Sequence, residues 1–147
     1  MKEGEGMREI KFRGKRLDNG EWVYGAFVPD ELEQTHGKMV TWGFIRRYKP
    51  NRTVESVEMI EVDRNTVGQY TGLKDKNGIE IYEGDIISAY NGRIKGSVIF
   101  DKRGLVFGIP NGPNEIYQFS MNFLESKDIE IIGKIYENPE LLKEKGQ

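Results

Sequence analysis

Cysteine is absent from the 147-residue chain. That excludes disulfides, thiol catalysis and every zinc site built on Cys, and it suits a reducing compartment. Histidine occurs once, at His36. Leucine is sparse, and the longest apolar runs are only a few residues, against the ~20 needed to span a bilayer. The opening MKEGEG carries no apolar core and does not read as a signal peptide. Neither sign of charge dominates: 22 basic residues stand against 24 acidic ones, a net of −2, which gives no global pull toward nucleic acid or membrane. No Ser sits in a G-x-S-x-G setting, and no Walker or dinucleotide glycine pattern is present. The glycines of Gly92-Arg93-Ile94-Lys95-Gly96 lack the P-loop spacing and read as hairpin glycines. The expectation is a soluble, cytoplasmic protein with no catalytic residues, no cofactor, no metal and no membrane partner.

The chain does have aromatics and turn residues. Seven Tyr, seven Phe and two Trp supply core bulk, and the eighteen glycines are scattered between apolar runs as turn residues. The periodicity is mostly two, that of half-buried strands. Ile10 and Phe12 alternate with Lys11 and Arg13, which places the basic pair outward. Trp22, Tyr24 and Ala26 alternate with Val23, Gly25 and Phe27. Asn-Gly, the dipeptide best suited to the positive φ angles of a type I′ turn, recurs at 19–20, 77–78, 91–92 and 111–112. Four such pairs argue for an antiparallel, hairpin-rich protein. Further strands are expected at 39–48, 53–62, 66–70, 85–90, 93–100, 105–109, 115–119 and 129–136, with a loop over 29–38. Helix is scarce. Residues 120–125 suit one turn, and Asn138 as N-cap with Pro139 at the first helical position predicts a short terminal helix. Glu140 would favour its dipole, and Leu141 and Leu142 would pack back on the sheet.

Two stretches, QYTGLKDKNGIEIYEGDII at 69–87 and IIGKIYENPELL at 131–142, with a looser match in MREIKFRGK from Met7, resemble the YopX family of small phage and prophage proteins. In the first stretch Lys76-Asn77-Gly78 makes a turn, Ile79 and Ile81 share a strand face with Glu80 facing solvent, Gly84-Asp85 makes a second turn, and Ile86-Ile87 enters the core. A Gly-Asp turn followed by paired apolar strands resembles SH3-like barrels, and the family resemblance implies the same. The expected architecture is therefore all-β: a disordered extension at 1–6, an N-terminal β region of antiparallel hairpins at 7–70, and an SH3-like small barrel with a short C-terminal helix at 71–147. The resemblance implies a phage-encoded protein working in a bacterial host cell. It supplies no catalytic residue.

Three constellations bear on chemistry. Glu80, Glu83 and Asp85 admit a carboxylate site, but an Asp after a turn glycine commonly accepts a backbone N–H two residues on. His36, in a polar loop without an orienting partner, reads as a surface histidine. Between Gln34 and Val54 there is no acid, while Lys38, Arg46, Arg47, Lys49 and Arg52 bring five positive charges, interleaved with Trp42, Phe44 and Tyr48. Cations neutralise phosphates and aromatics stack on unpaired bases, so Trp42, Arg46, Arg47, Tyr48, Lys49 and Arg52 are candidate nucleic-acid contacts. The plainer reading buries the aromatics and places the arginines on strand edges against unwanted pairing. A second basic cluster comprises Arg8, Lys11, Arg13, Lys15 and Arg16. The reading that follows is a non-enzymatic module binding a host or phage protein. Nucleic-acid binding through 34–54 is the alternative, and self-association through strand edges is admitted as well.

Overall fold

Alternating side chains and turn-forming glycines produce antiparallel strands throughout. A computed structural model describes residues 9–29, 40–48, 54–103, 105–113, 115–119 and 128–143, with the backbone alone described at 28–29, 40–48 and 54–59. The extension at 1–6, His36 and the turn expected at 120–125 lie outside the described residues. The chain divides into two units, Met1–Tyr70 and Thr71–Gln147.

In the first unit β1 (Phe12–Arg16), β2 (Trp22–Pro29), β3 (Val40–Tyr48) and β4 (Val54–Lys74) pair in sequence order. β1 also pairs with β4, so both of its edges are hydrogen-bonded. The sequence suggests two strands at 53–62 and 66–70. They form one strand of 21 residues, β4, which continues into the second unit. The polar run Asp63-Arg64-Asn65 that reads as a break is instead a bulge: β1 pairs Arg13 with Gly68 and Lys15 with Asp63, leaving the intervening residues of β4 opposite Gly14 alone. Side chains close the gap. Thr66 Oγ1 accepts the Lys15 N–H at 2.9 Å and donates to the Asp63 carbonyl at 2.6 Å, and Asp63 Oδ1 accepts the Asn65 N–H at 3.0 Å. Gly14 fits closely here, since a Cβ would sit 3.1 Å from Val62 and 3.3 Å from Val67, tight enough that those side chains would have to shift.

Ile60, Val62 and Tyr70 are buried here, and Phe12 packs on Phe27 with ring centroids 5.7 Å apart. Arg13 departs from expectation. Alternation places it outward with Lys11, yet it is buried, its guanidinium 4.9 Å from the Trp22 ring centroid. A guanidinium is more weakly hydrated than an ammonium and so loses less on being buried against an indole.

The second unit holds β5 (Glu80–Tyr82), β6 (Asp85–Ala89), β7 (Ile94–Ser97), β8 (Ile99–Asp101), β9 (Val106–Pro110), β10 (Ile116–Gln118) and β11 (Glu130–Lys134). β5 neighbours the end of β4, β6 lies between β11 and β7, and β9 lies between β10 and β8. The last six of these strands thus form two three-stranded sheets, with no closed barrel among the described residues. The cause is local. The single strand read at 93–100 splits at Val98, whose N–H donates to the Asp85 carbonyl at 2.8 Å and whose carbonyl accepts the Gly84 N–H at 2.9 Å. The Gly-Asp turn claims that residue, and the chain passes to the other sheet. Ile81, Ile87, Ala89, Val98, Ile109 and Ile129 form the core cluster. Burying each large apolar side chain contributes roughly 1.5–3 kcal/mol.

The terminal helix is a single 3-10 turn, Pro139–Leu142. Asn138 does not cap it. Its Oδ1 accepts the Lys134 N–H at 3.3 Å, and its own N–H donates to the Lys134 carbonyl at 2.7 Å, so the side chain is committed to β11. Leu142 is 39% exposed. The turns differ from expectation too. All four Asn-Gly glycines have positive φ, but among the asparagines only Asn91 does, so the paired positive φ of a type I′ turn occurs at 91–92 alone.

Candidate functional site

The register of β8, β9 and β10 sorts their side chains onto two faces, because directly opposed residues share a face and faces alternate along a strand. Phe100 lies opposite Phe107, and Tyr117 opposite Ile109. Phe107 and Ile109 are buried, so this face turns to the core, and Phe100 meets Phe107 edge-on at 5.2 Å. The other face carries Ile99, Val106, Pro110 and Ile116 around Gly108, together with Asp101 and Gln118. Ile99 and Pro110 are exposed, Val106 and Ile116 half-buried. A sheet with water on one side ordinarily shows polar residues there; here Asp101 and Gln118 share the face with four apolar side chains. At its end Leu105 is 77% exposed with φ +51°, a conformation that costs a bulky residue roughly 1–2 kcal/mol. The charges beside it are Lys102 and Arg103, with Arg103 Nε donating to Asp101 at 3.2 Å. The sequence signal for this surface is Val98-Ile99-Phe100, an unbroken apolar run where alternation would give one polar residue.

The acidic trio separates. Asp85 is 1% exposed, and its Oδ2 accepts the Tyr82 N–H at 2.8 Å; the bond runs three residues back rather than two forward. Glu83 is half-buried. Glu80 is half-buried rather than solvent-facing and accepts the Tyr82 hydroxyl at 3.4 Å. Ile79, expected to share a face with fully buried Ile81, is 54% exposed, because the Asp75–Ile79 turn carries it. Ile86 and Ile87 are fully buried as expected. Among the described residues no group of three His, Cys, Asp or Glu side chains could hold a metal ion.

Of the candidate nucleic-acid contacts, Trp42, Arg46, Arg47 and Tyr48 fall on β3, where the backbone places Trp42 opposite Glu61, Arg46 opposite Val57 and Tyr48 opposite Val54. Lys49 and Arg52 lie outside the described residues. Of the second basic cluster Arg8 lies outside the described residues, and Lys11, Arg13 and Arg16 make contacts within the chain. Lys11 pairs with Glu9 at 3.0 Å and lies 4.9 Å from the Tyr70 ring centroid. Arg13 stacks on Trp22, and Arg16 forms a fork on Asp18 at 2.8 and 2.6 Å. The hydrogen bonds from Arg16 hold the Asp18 carboxyl below its ordinary value. That pair is therefore intact above the ordinary Asp pKa and is lost as pH falls through the depressed folded value. In an NMR titration, Arg16→Ala should raise the Asp18 midpoint toward that of a free carboxylate; an unchanged midpoint would show that the fork does not persist in solution.

No curated protein matches the chain. Among solved structures, the crystal structure of protein EF1440 from Enterococcus faecalis is similar over 92% of this chain and 99% of that one, at 24% identity and a TM-score of 0.45. The family profile described as YopX protein matches residues 11–143, which takes in both stretches at 69–87 and 131–142. The chain belongs to the YopX family.

Proposed function

We propose that this protein is a non-enzymatic protein-binding module, encoded by a phage or prophage and acting in the cytoplasm of the bacterial host, that docks a host or phage protein on the outer face of β8–β9–β10. The observation carrying this reading is the cluster of Ile99, Val106, Pro110 and Ile116 on the outer face, which Asp101 and Gln118 border, with the exposed and backbone-strained Leu105 next to Val106 in sequence. Strain on a bulky residue persists where surroundings hold it and often marks function. The second unit then works as an open SH3-like arrangement. Its two sheets approach at Gly96, where a Cβ would stand closer than 3.0 Å to Ile109.

A second reading is nucleic-acid binding through Trp42, Arg46, Arg47, Tyr48, Lys49 and Arg52, favoured by the placement of four of the six on one strand. Affinity capture with nuclease treatment separates the two. The tagged protein should retain a partner after nuclease, and Ile99→Lys with Leu105→Asp should abolish retention while circular dichroism stays unchanged. Equal retention by that variant would overturn the outer face as the docking surface. Retention only while nucleic acid is intact, with binding that weakens steeply with salt, would favour the basic strand.

A further inference from the structure

The four Asn-Gly pairs share one covalent liability but not one environment. In each, the backbone nitrogen of the glycine stands five atoms round from the Asn Cγ, and a glycine leaves that nitrogen unhindered. Attack forms an N–Cγ bond and breaks the Cγ–Nδ2 bond, releasing ammonia and closing a succinimide. Water then opens the ring at either carbonyl, giving aspartate or isoaspartate; one water is consumed and one ammonia released. Two groups must be free to move together: the Asn carboxamide and the glycine N–H.

Three pairs have at least one of these groups tied. Asn19 Oδ1 accepts the Glu21 N–H at 2.9 Å, and the Gly20 N–H donates to the Arg16 carbonyl at 3.0 Å. The Gly78 N–H donates to the Asp75 carbonyl at 3.0 Å. Asn111 Nδ2 donates to Glu115 Oε2 at 3.1 Å. At Asn91 the hydrogen bond goes from its backbone N–H to the Asp128 carboxylate, a group outside the reaction. Its carboxamide and the Gly92 N–H have no hydrogen-bond partner among the described residues, and both residues are exposed.

The backbone adds a second distinction. Tyr90, Asn91 and Gly92 have φ of +51°, +56° and +81°, three left-handed residues in a row where single ones are the rule. Isoaspartate inserts one extra carbon into the main chain and so loosens this turn.

We infer that Asn91 is a modification site: in the folded protein it deamidates ahead of the other three Asn-Gly pairs, turning the β6–β7 turn into an aspartyl or isoaspartyl turn. The product places a new carboxylate next to Asp128, which also lies 3.9 Å from Lys76 Nζ. Like charges there weaken the tie between this turn and the segment entering β11.

The test uses the full chain held at mildly alkaline pH, with peptide mapping by mass spectrometry at all four sites. Each restraining hydrogen bond should slow conversion roughly five- to tenfold, so Asn91 leads in the native protein. In urea the four rates should converge, since each Asn then precedes a glycine in open chain. Glu115→Ala should accelerate Asn111 and leave Asn91 unchanged. Conversion at 19, 77 or 111 ahead of 91 in the native protein would overturn the assignment, as would four equal native rates or an Asn111 that ignores the loss of Glu115.

Discussion

Replacing Asp75 with alanine should lower the unfolding free energy by about 3–5 kcal/mol, a large part of the ~5–15 kcal/mol that a domain possesses. Asp75 is 6% exposed. Its Oδ1 accepts the N–H groups of Asn77 and Ile79 at 2.8 and 3.0 Å, which shape the Asn77-Gly78 turn, and its Oδ2 accepts the Ile131 N–H of β11 at 3.2 Å. One side chain thus fastens a hairpin turn to a strand 56 residues away in sequence. Each charge-assisted bond contributes ~1.5–3 kcal/mol, and alanine would leave three donors without an acceptor. The sum is not additive, because the turn can open to water and recover some solvation. Asp75→Asn should cost less, since its one carbonyl oxygen can keep the two turn bonds while its NH2 confronts the Ile131 N–H. Urea unfolding gives the energy, and hydrogen exchange at Ile131 gives the location. An alanine variant within ~0.5 kcal/mol of the parent, the spread of ordinary surface changes, would show that the carboxylate is not the fastening.

Nothing local in the sequence announces Asp75 as that hub. Asp75-Lys76-Asn77-Gly78 reads as a turn, and the turn is there, but the third bond reaches a strand whose position only the folded chain defines. The same limit governs the other departures. The 69–87 stretch marks Ile86 and Ile87 as core, and both are fully buried. Alternation fails for Arg13, which is buried beside the cross-strand indole of Trp22, and for Asp63–Asn65, where turn-forming residues build a bulge because Thr66 supplies the missing acceptor for Lys15. Asn138 has the right identity for an N-cap, yet the strand before it takes the side chain first. Val98 sits mid-run in an apolar stretch, and its hydrogen bonds to Gly84 and Asp85 divide that stretch between two sheets. Local propensity locates the elements; competition for backbone hydrogen bonds decides where they end and which sheet they join. The outer face of β8–β9–β10 was legible only as an excess of apolar residues, since which of them share a face depends on the pairing register.

Gly108→Ala should detach β10 from β9, whereas Gly112→Ala, four residues on in the same hairpin, should leave the sheet paired. Gly108 lies inside β9, whereas Gly112 belongs to the Asn-Gly pair that follows it. At Gly112 a Cβ would meet nothing within 4 Å, and its φ of +82° sets the only penalty, about 1 kcal/mol for placing alanine in left-handed backbone. Gly108 has the opposite problem. It is buried, and a Cβ there would stand closer than 3.0 Å to the Tyr117 carbonyl oxygen and 2.9 Å from two Ile116 side-chain atoms. Ile116 can rotate away, but the Tyr117 carbonyl belongs to the strand that pairs Tyr117 with Ile109 and Gln118 with Gly108. Moving it means parting the strands. Overpacking a tight site costs typically 1–3 kcal/mol, and β10 is only three residues long, so peeling it away is the cheaper response than distorting β9, whose Ile109 is fully buried. Hydrogen exchange should therefore quicken at Phe119, whose N–H donates to the Phe107 carbonyl at 2.9 Å, while Ile131 on the other sheet keeps its protection. Loss of protection at both sites would mean that the two sheets open together as one cooperative element. Full retention at Phe119 would mean that the strands are not as close at Gly108 as their register requires. On the docking surface proposed above, where Ile116 lies opposite Pro110, the same variant should also weaken partner capture, and Gly112→Ala should not.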